Sequence, residues 1–169
     1  MSICTHNRKP CPVCDPDAFI KKRVKNLLSA SLKYLGIEKR RAWTYYLGAD
    51  WDVVVTCLKN KIQNWNNQVH GYDTRNLHVS NMVVDHIRPK KMFLNDAYPS
   101  RETLCNHYTN LQPMLPEDNT FKGCHWSNTD EEHWILHIIM KPSQTIYYPV
   151  NLQPPSLLLV KQHKTDDQV

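Results

Sequence analysis

The chain lacks any apolar run approaching the ~20 residues a helix needs to cross a bilayer, and Met1 is followed by Cys, His and charged residues where a secretory leader carries an apolar core. It also lacks internal repeats and low-complexity tracts. Nor is it poor in order-promoting residues: 41% is hydrophobic and 22% charged, with five Trp and eight Tyr, at a mean hydropathy of -0.58. That composition excludes a disordered chain. At 169 residues it allows one domain with a small appendage and excludes a large multidomain machine. The expectation is a soluble intracellular protein.

Charge is unevenly spread. The net charge is +5, yet residues 1–41 hold ten Lys or Arg against three acids, a net of +7, and the remainder is at -2. A basic end on a near-neutral body suits a phosphate-binding arm, because counterion release drives sequence-independent affinity for nucleic acid. Charge alone supports a merely solvated basic helix equally well.

Three of the six cysteines fall within the first fourteen residues, with Cys4, His6, Cys11 and Cys14 in close succession. A Cys-x-x-Cys pair can aim both thiolates at one ion, and Cys4 and His6 complete a tetrahedral set for a structural Zn2+. Cys105, Cys124, His107 and His125 are alternative sources of the fourth ligand. A disulfide fits less well without a sign of an oxidising compartment, and a thioredoxin-like pair conflicts with the flanking prolines.

Further along, Asp15-Pro-Asp17 reads as a helix start, and Ile20, Val24, Leu27, Leu28, Leu32 and Leu35 recur at helical spacing up to Gly36, with Lys21, Lys22, Lys25 and Ser29 opposite. A second helix is predicted from Glu38 to Leu47 and a third from the Asp50-Trp51-Asp52 cap through Ile62. A loop anchored by Trp65 is predicted from Asn64 to Thr74. Val79, Val83 and Val84 favour a strand from Leu77 to Ile87, closed by Pro89. A loop from Lys90 to Pro99, a short helix from Ser100 to Tyr108, a second strand from Asn110 to Met114 and a helix from Pro116 to Gly123 follow. A last helix spans Asp130 to Met140, before a Pro-interrupted apolar tail.

Asp85-His86, then Asn110, then Asn119-x-x-Lys122 is the residue set a one-metal phosphodiesterase requires. Hydrolysis needs a base for water, and an unperturbed imidazole titrates near neutrality. It also needs a cation to offset charge on the phosphate and leaving oxygen, and the oxygens of Asp85 and Asn119 suit a hard Mg2+ or Mn2+ that keeps several waters. An isolated Asp-His pair is commonplace on protein surfaces; its weight comes from the company of Asn110 and Asn119. Asn110 alone reads as a turn residue and Lys122 alone as a solvated cation. Cys105 and Cys124 read as buried thiols, His107 and Tyr108 as helix-end packing. His133 and His137 read as one helical face lacking a third metal ligand.

These residues resemble the HNH, or ββα-metal, endonucleases. Asp85-His86-Ile87-x-Pro89 is similar to the first strand of that motif, Asn110 to its middle Asn, and Asn119 with Lys122 to its final metal-binding position and following Lys. The resemblance is closest to HNH proteins of phages and large DNA viruses, which have a Cys-x-His and Cys-x-x-Cys start, a turn like Leu47-Gly48, a Trp-x-Asn like Trp65 to Asn67, and a run like Cys105 to Pro113. It spans Cys4 to Gly123. Met82 and Val83 stand where these relatives often carry Trp and His, and Asn119 replaces the more widespread His.

The resemblance implies that His86 activates water, Asp85 and Asn119 bind catalytic Mg2+ or Mn2+, Asn110 steadies the loop orienting His86, and Lys122 touches phosphate. It implies an α+β fold: a zinc knuckle over residues 1–16, a basic helical region over 17–74, a ββα-metal core over 75–126, and a C-terminal helix and tail over 127–169. Double-stranded DNA is the favoured partner, encountered in the cytoplasm or nucleus, inside a host if the protein is phage- or virus-encoded. Monomer and homodimer stay open. The rival expectation is a catalytically inactive, zinc-stabilised nucleic-acid-binding module.

Overall fold

A computed structural model of the chain describes residues 10–68, 75–94 and 101–135. Cys4, His6, His137 and the apolar tail lie outside these residues. The described part is mixed: helices around one two-stranded antiparallel sheet. No helix among the described residues is long and apolar enough to cross a membrane.

Helix α1 runs Pro16–Tyr34 and starts as its sequence dictates: the Asp15 carboxylate accepts from the Ala18 amide at 3.0 Å, with Pro in the first turn. Its buried face is Ile20, Val24, Leu28 and Leu32. Helix α2, Trp43–Leu47, is shorter than predicted. The amides of Arg40 and Arg41 both donate to the Tyr46 hydroxyl, at 3.1 and 3.4 Å, and the residues before α2 are irregular and not helical. Gly48 ends α2 at φ +66°, where a Cβ would come within 2.4 Å of the His107 ring. Both the backbone conformation and the packing therefore require glycine.

Helix α3, Trp51–Gln68, extends beyond the predicted end at Ile62. The Asn-rich stretch predicted as loop continues the helix because Trp65 is buried and the Asn66 side chain brackets Leu77, accepting from its amide at 2.8 Å and donating to its carbonyl at 2.9 Å. These long-range contacts outweigh the local preference of Asn for turns. Lys61, on the same helix, is buried, and its ammonium donates to the Leu111 carbonyl at 2.6 Å. Burial lowers its pKa, an effect partly offset by Cys57.

The predicted strand from Leu77 contracts to β1, Val83–His86. Its first half is a turn in which the Asn81 side chain accepts from the His78 amide at 2.7 Å. A 3-10 turn over Lys90–Phe93 follows, then helix α4, Arg101–Asn106, and a second 3-10 turn over Tyr108–Asn110. Strand β2, Leu111–Met114, pairs antiparallel with β1, with Asp85 opposite Gln112 and His86 opposite Leu111. Helix α5, Pro116–Lys122, carries Pro in its first turn as predicted. Helix α6, Asn128–Trp134, begins two residues before the predicted Asp130, because Ser127 and Asp130 form a reciprocal capping box.

The larger core gathers α1, α2 and α3 against the inner face of the sheet through Ile20, Leu28, Leu47, Leu58, Met82 and Leu111. Each such aliphatic side chain, fully buried, contributes about 1.5–3 kcal/mol. A smaller core of Leu35, Ile87, Phe93, Cys105 and Trp134 lies under the other end of β1. Val84 in the larger core and Ile87 in the smaller one thus flank Asp85 and His86 along the chain, and Asn110 sits in the 3-10 turn just before β2.

Candidate active site

Alternation along β1 buries Val84 and His86 and leaves Val83 and Asp85 half-buried. Asp85 and His86 nevertheless both border one cavity of about 200 Å³ where the strand ends. Its other walls are Leu27 and Tyr34 of α1, Pro89, Lys90 and Lys91 after β1, and Lys122, Gly123 and Cys124 at the end of α5. The lining mixes apolar Leu27, Tyr34 and Pro89 with the cationic Lys90, Lys91 and Lys122.

Lys122 meets Asp85 directly. Its ammonium lies 2.6 Å from the Asp85 carboxylate and 2.7 Å from the His86 carbonyl, with only 2% of the side chain exposed. The sequence suggested a cation free to reach phosphate; here Lys122 is buried and committed to Asp85. Lys90 rests its ammonium 4.8 Å from the centre of the Tyr34 ring, and Lys91 lies 3.3 Å from the Cys124 sulfur. Cys124 is exposed, contrary to the expected buried thiol, whereas Cys105 is buried beside Ser31 and its pKa is raised to about 11, chiefly by burial.

His86 is 2% exposed, and its Nε2 lies 3.3 Å from the side-chain oxygen of Asn106. Burial lowers its pKa to about 4; Asp85 and the Asn106 hydrogen bond oppose that shift, while Lys122 and Lys90 add to it. The imidazole is therefore neutral at physiological pH, the state in which it can accept a proton.

Asn110 is a fully engaged buried amide. Its oxygen accepts from the Arg88 amide and the Trp134 indole, both at 2.9 Å, and its nitrogen donates to the Cys105 carbonyl at 2.8 Å and the Arg88 carbonyl at 3.4 Å. Its own carbonyl accepts from the Ile87 amide at 2.7 Å. These bonds fix the chain just after His86. Asn119 is half-buried in the middle of α5, one turn before Lys122 on the same helical side, and is not among the residues lining the cavity. The structure therefore brings Asp85, His86 and Lys122 to one cavity, sets Asn110 behind them, and leaves Asn119 off its wall.

Three participants carried no signal of their own in the sequence. Asn106 was one polar residue within a polar run. Trp134 lies beyond the stretch that carried the resemblance, yet bonds Asn110. Arg88 is stacked over Phe93 at 4.3 Å and Trp134 at 5.1 Å, and donates to Glu131 at 2.7 Å.

As to cations, an Asp carboxylate at a solvent-open cavity fits a hard ion that retains much of its water, and does not fit a closed thiolate or imidazole site. No group of three or more His, Cys, Asp or Glu side chains gathers to hold a metal among the described residues. Cys11 is buried and Cys14 exposed in the turn before α1, where the Asp15 amide donates to the Cys11 carbonyl at 2.9 Å. A scan of protein-family models and searches of curated proteins and of solved structures return no match to this chain.

Proposed function

We propose that the chain is a metal-dependent endonuclease of the HNH, or ββα-metal, type that hydrolyses phosphodiester bonds of DNA. The observation that carries this reading is the convergence of Asp85, neutral His86 and Lys122 on one cavity edged by Lys90 and Lys91, from two antiparallel strands followed by a helix. His86 takes the proton from the attacking water. Asn110 pins the backbone that follows His86, so the imidazole is held in place before substrate arrives. Lys90 and Lys91, at the edge of the cavity, attract and seat the backbone phosphates. Asp85, with Asn119 as a further oxygen donor one turn before Lys122, would hold a Mg2+ or Mn2+, which would supply charge to offset that on the phosphate and the leaving oxygen. Cys4, His6, Cys11 and Cys14 would hold a structural Zn2+ at the N-terminus.

Incubating purified protein with supercoiled plasmid and Mg2+ or Mn2+ tests the assignment: metal-dependent nicking is expected, and its absence with both ions defeats it. Metal analysis well below one zinc per chain removes the knuckle.

One observation favours a second reading, a nucleic-acid-binding module without catalysis: the Lys122 ammonium already satisfies one oxygen of Asp85. Under that reading duplex DNA binds in a salt-sensitive manner and is never cut.

A further inference from the structure

Asn106 closes α4 with no part of its side chain exposed, and its oxygen faces Nε2 of His86, itself nearly sealed from solvent. An amide can be turned two ways that exchange its nitrogen and oxygen, and hydrogen-bond partners decide which holds. Here the nitrogen of Asn106 donates to the Glu102 carbonyl at 2.8 Å, one turn back in the same helix. The reverse orientation would set two carbonyl oxygens against each other. What meets His86 is therefore an oxygen, which can only accept, so Nε2 carries the proton. In a neutral imidazole the other nitrogen, Nδ1, then holds the lone pair.

We propose that Asn106 is the positioning residue for His86: its side-chain oxygen selects the Nε2–H tautomer and fixes the ring, leaving Nδ1 as the nitrogen that accepts the proton of water. This rests on the reading of His86 as the base. The charged groups facing the ring are Asp85 from β1, Lys122 from α5 and Lys90 from the turn after β1, and Asp85 and Lys122 are bonded to each other. Among the described residues Asn106 makes the hydrogen bond to the ring itself. An uncharged acceptor sets the tautomer without placing a second carboxylate beside the site.

The tautomer is read directly on full-length protein labelled with 15N-histidine, by two-bond proton–nitrogen correlation without DNA or divalent ion, with His86→Gln identifying the signal among nine histidines. The expected pattern is a protonated Nε2 and an unprotonated Nδ1. Asn106→Leu should shift this toward a mixture of tautomers and lower kcat for DNA cleavage about 10- to 100-fold, with KM little changed. Asn106→Asp keeps an acceptor oxygen for Nε2 but gives up the donor to the Glu102 carbonyl and adds a carboxylate; it should restore the Nε2–H tautomer and not the full kcat. A wild-type His86 protonated at Nδ1 overturns the proposal whether or not any variant folds, as does an Asn106→Leu protein with unchanged tautomer and kcat. An Nε2–H ring in a protein that cuts nothing removes the nuclease reading and retains the tautomer assignment; an Nδ1–H ring in an active nuclease removes this proposal alone.

Discussion

The indole nitrogen of Trp134 donates to the side-chain oxygen of Asn110 at 2.9 Å, the same oxygen that accepts from the Arg88 amide. Helix α6 thereby braces the segment that leaves β1 after His86. Trp134→Phe keeps the ring contact with Phe93 but removes that donor. It should lower the unfolding free energy by about 1–2 kcal/mol, measured by urea titration. Asn110→Ala severs several buried bonds at once and should cost more than Trp134→Phe; equal or smaller loss would show that Asn110 is not the centre of this brace.

A pH titration of stability follows from the buried His86. Its pKa is lowered to about 4 in the fold, chiefly by burial, against about 6.5 when unfolded. The unfolded state therefore binds a proton that the native state refuses. Stability from this group is complete above pH ~6.5 and falls as the pH drops toward about 4, by roughly 3 kcal/mol in all. His86→Gln should flatten that part of the profile. Urea midpoints at pH 7 and pH 4.5 for both proteins check it, and parallel profiles would contradict it.

Lys122 provides a third test. Replacing it with Met leaves the Asp85 carboxylate without its ammonium and the His86 carbonyl without that donor. A loss of about 1–3 kcal/mol is expected. With the ammonium gone from Asp85, Mn2+ should bind more tightly to Lys122→Met than to wild type in calorimetric titration. Weaker binding would show that Lys122 supports the cation site and does not compete with it.

Much of this arrangement was legible in the sequence wherever the signal was local. The face of α1 followed from spacing and the Asp15 cap, and α5 from Pro at its start; Asp85, His86 and Asn110, singled out by their order, lie close together around the end of β1. What escaped depends on partners distant in the chain. Helix α3 runs on because Asn66 grips Leu77, the strand from Leu77 shortens because Asn81 folds a turn, and α2 shortens because Tyr46 takes two backbone amides. Lys61 looks like any helical lysine until β2 covers it. Nothing local distinguishes Asn106 from its polar neighbours, or joins Trp134 to Asn110. The placement of Lys122 on Asp85 is likewise a tertiary event, since phosphate and carboxylate attract the same ammonium.

The proposed role of His86 as the base of a metal-assisted phosphodiester cleavage is tested by single-turnover cleavage of an end-labelled DNA duplex by wild type and His86→Ala, in Mg2+ and in Mn2+. Cutting should disappear on chelation and slow about 10²- to 10⁴-fold in His86→Ala while duplex affinity is retained. An uncut duplex in both ions, or equal rates for the two proteins, would contradict it.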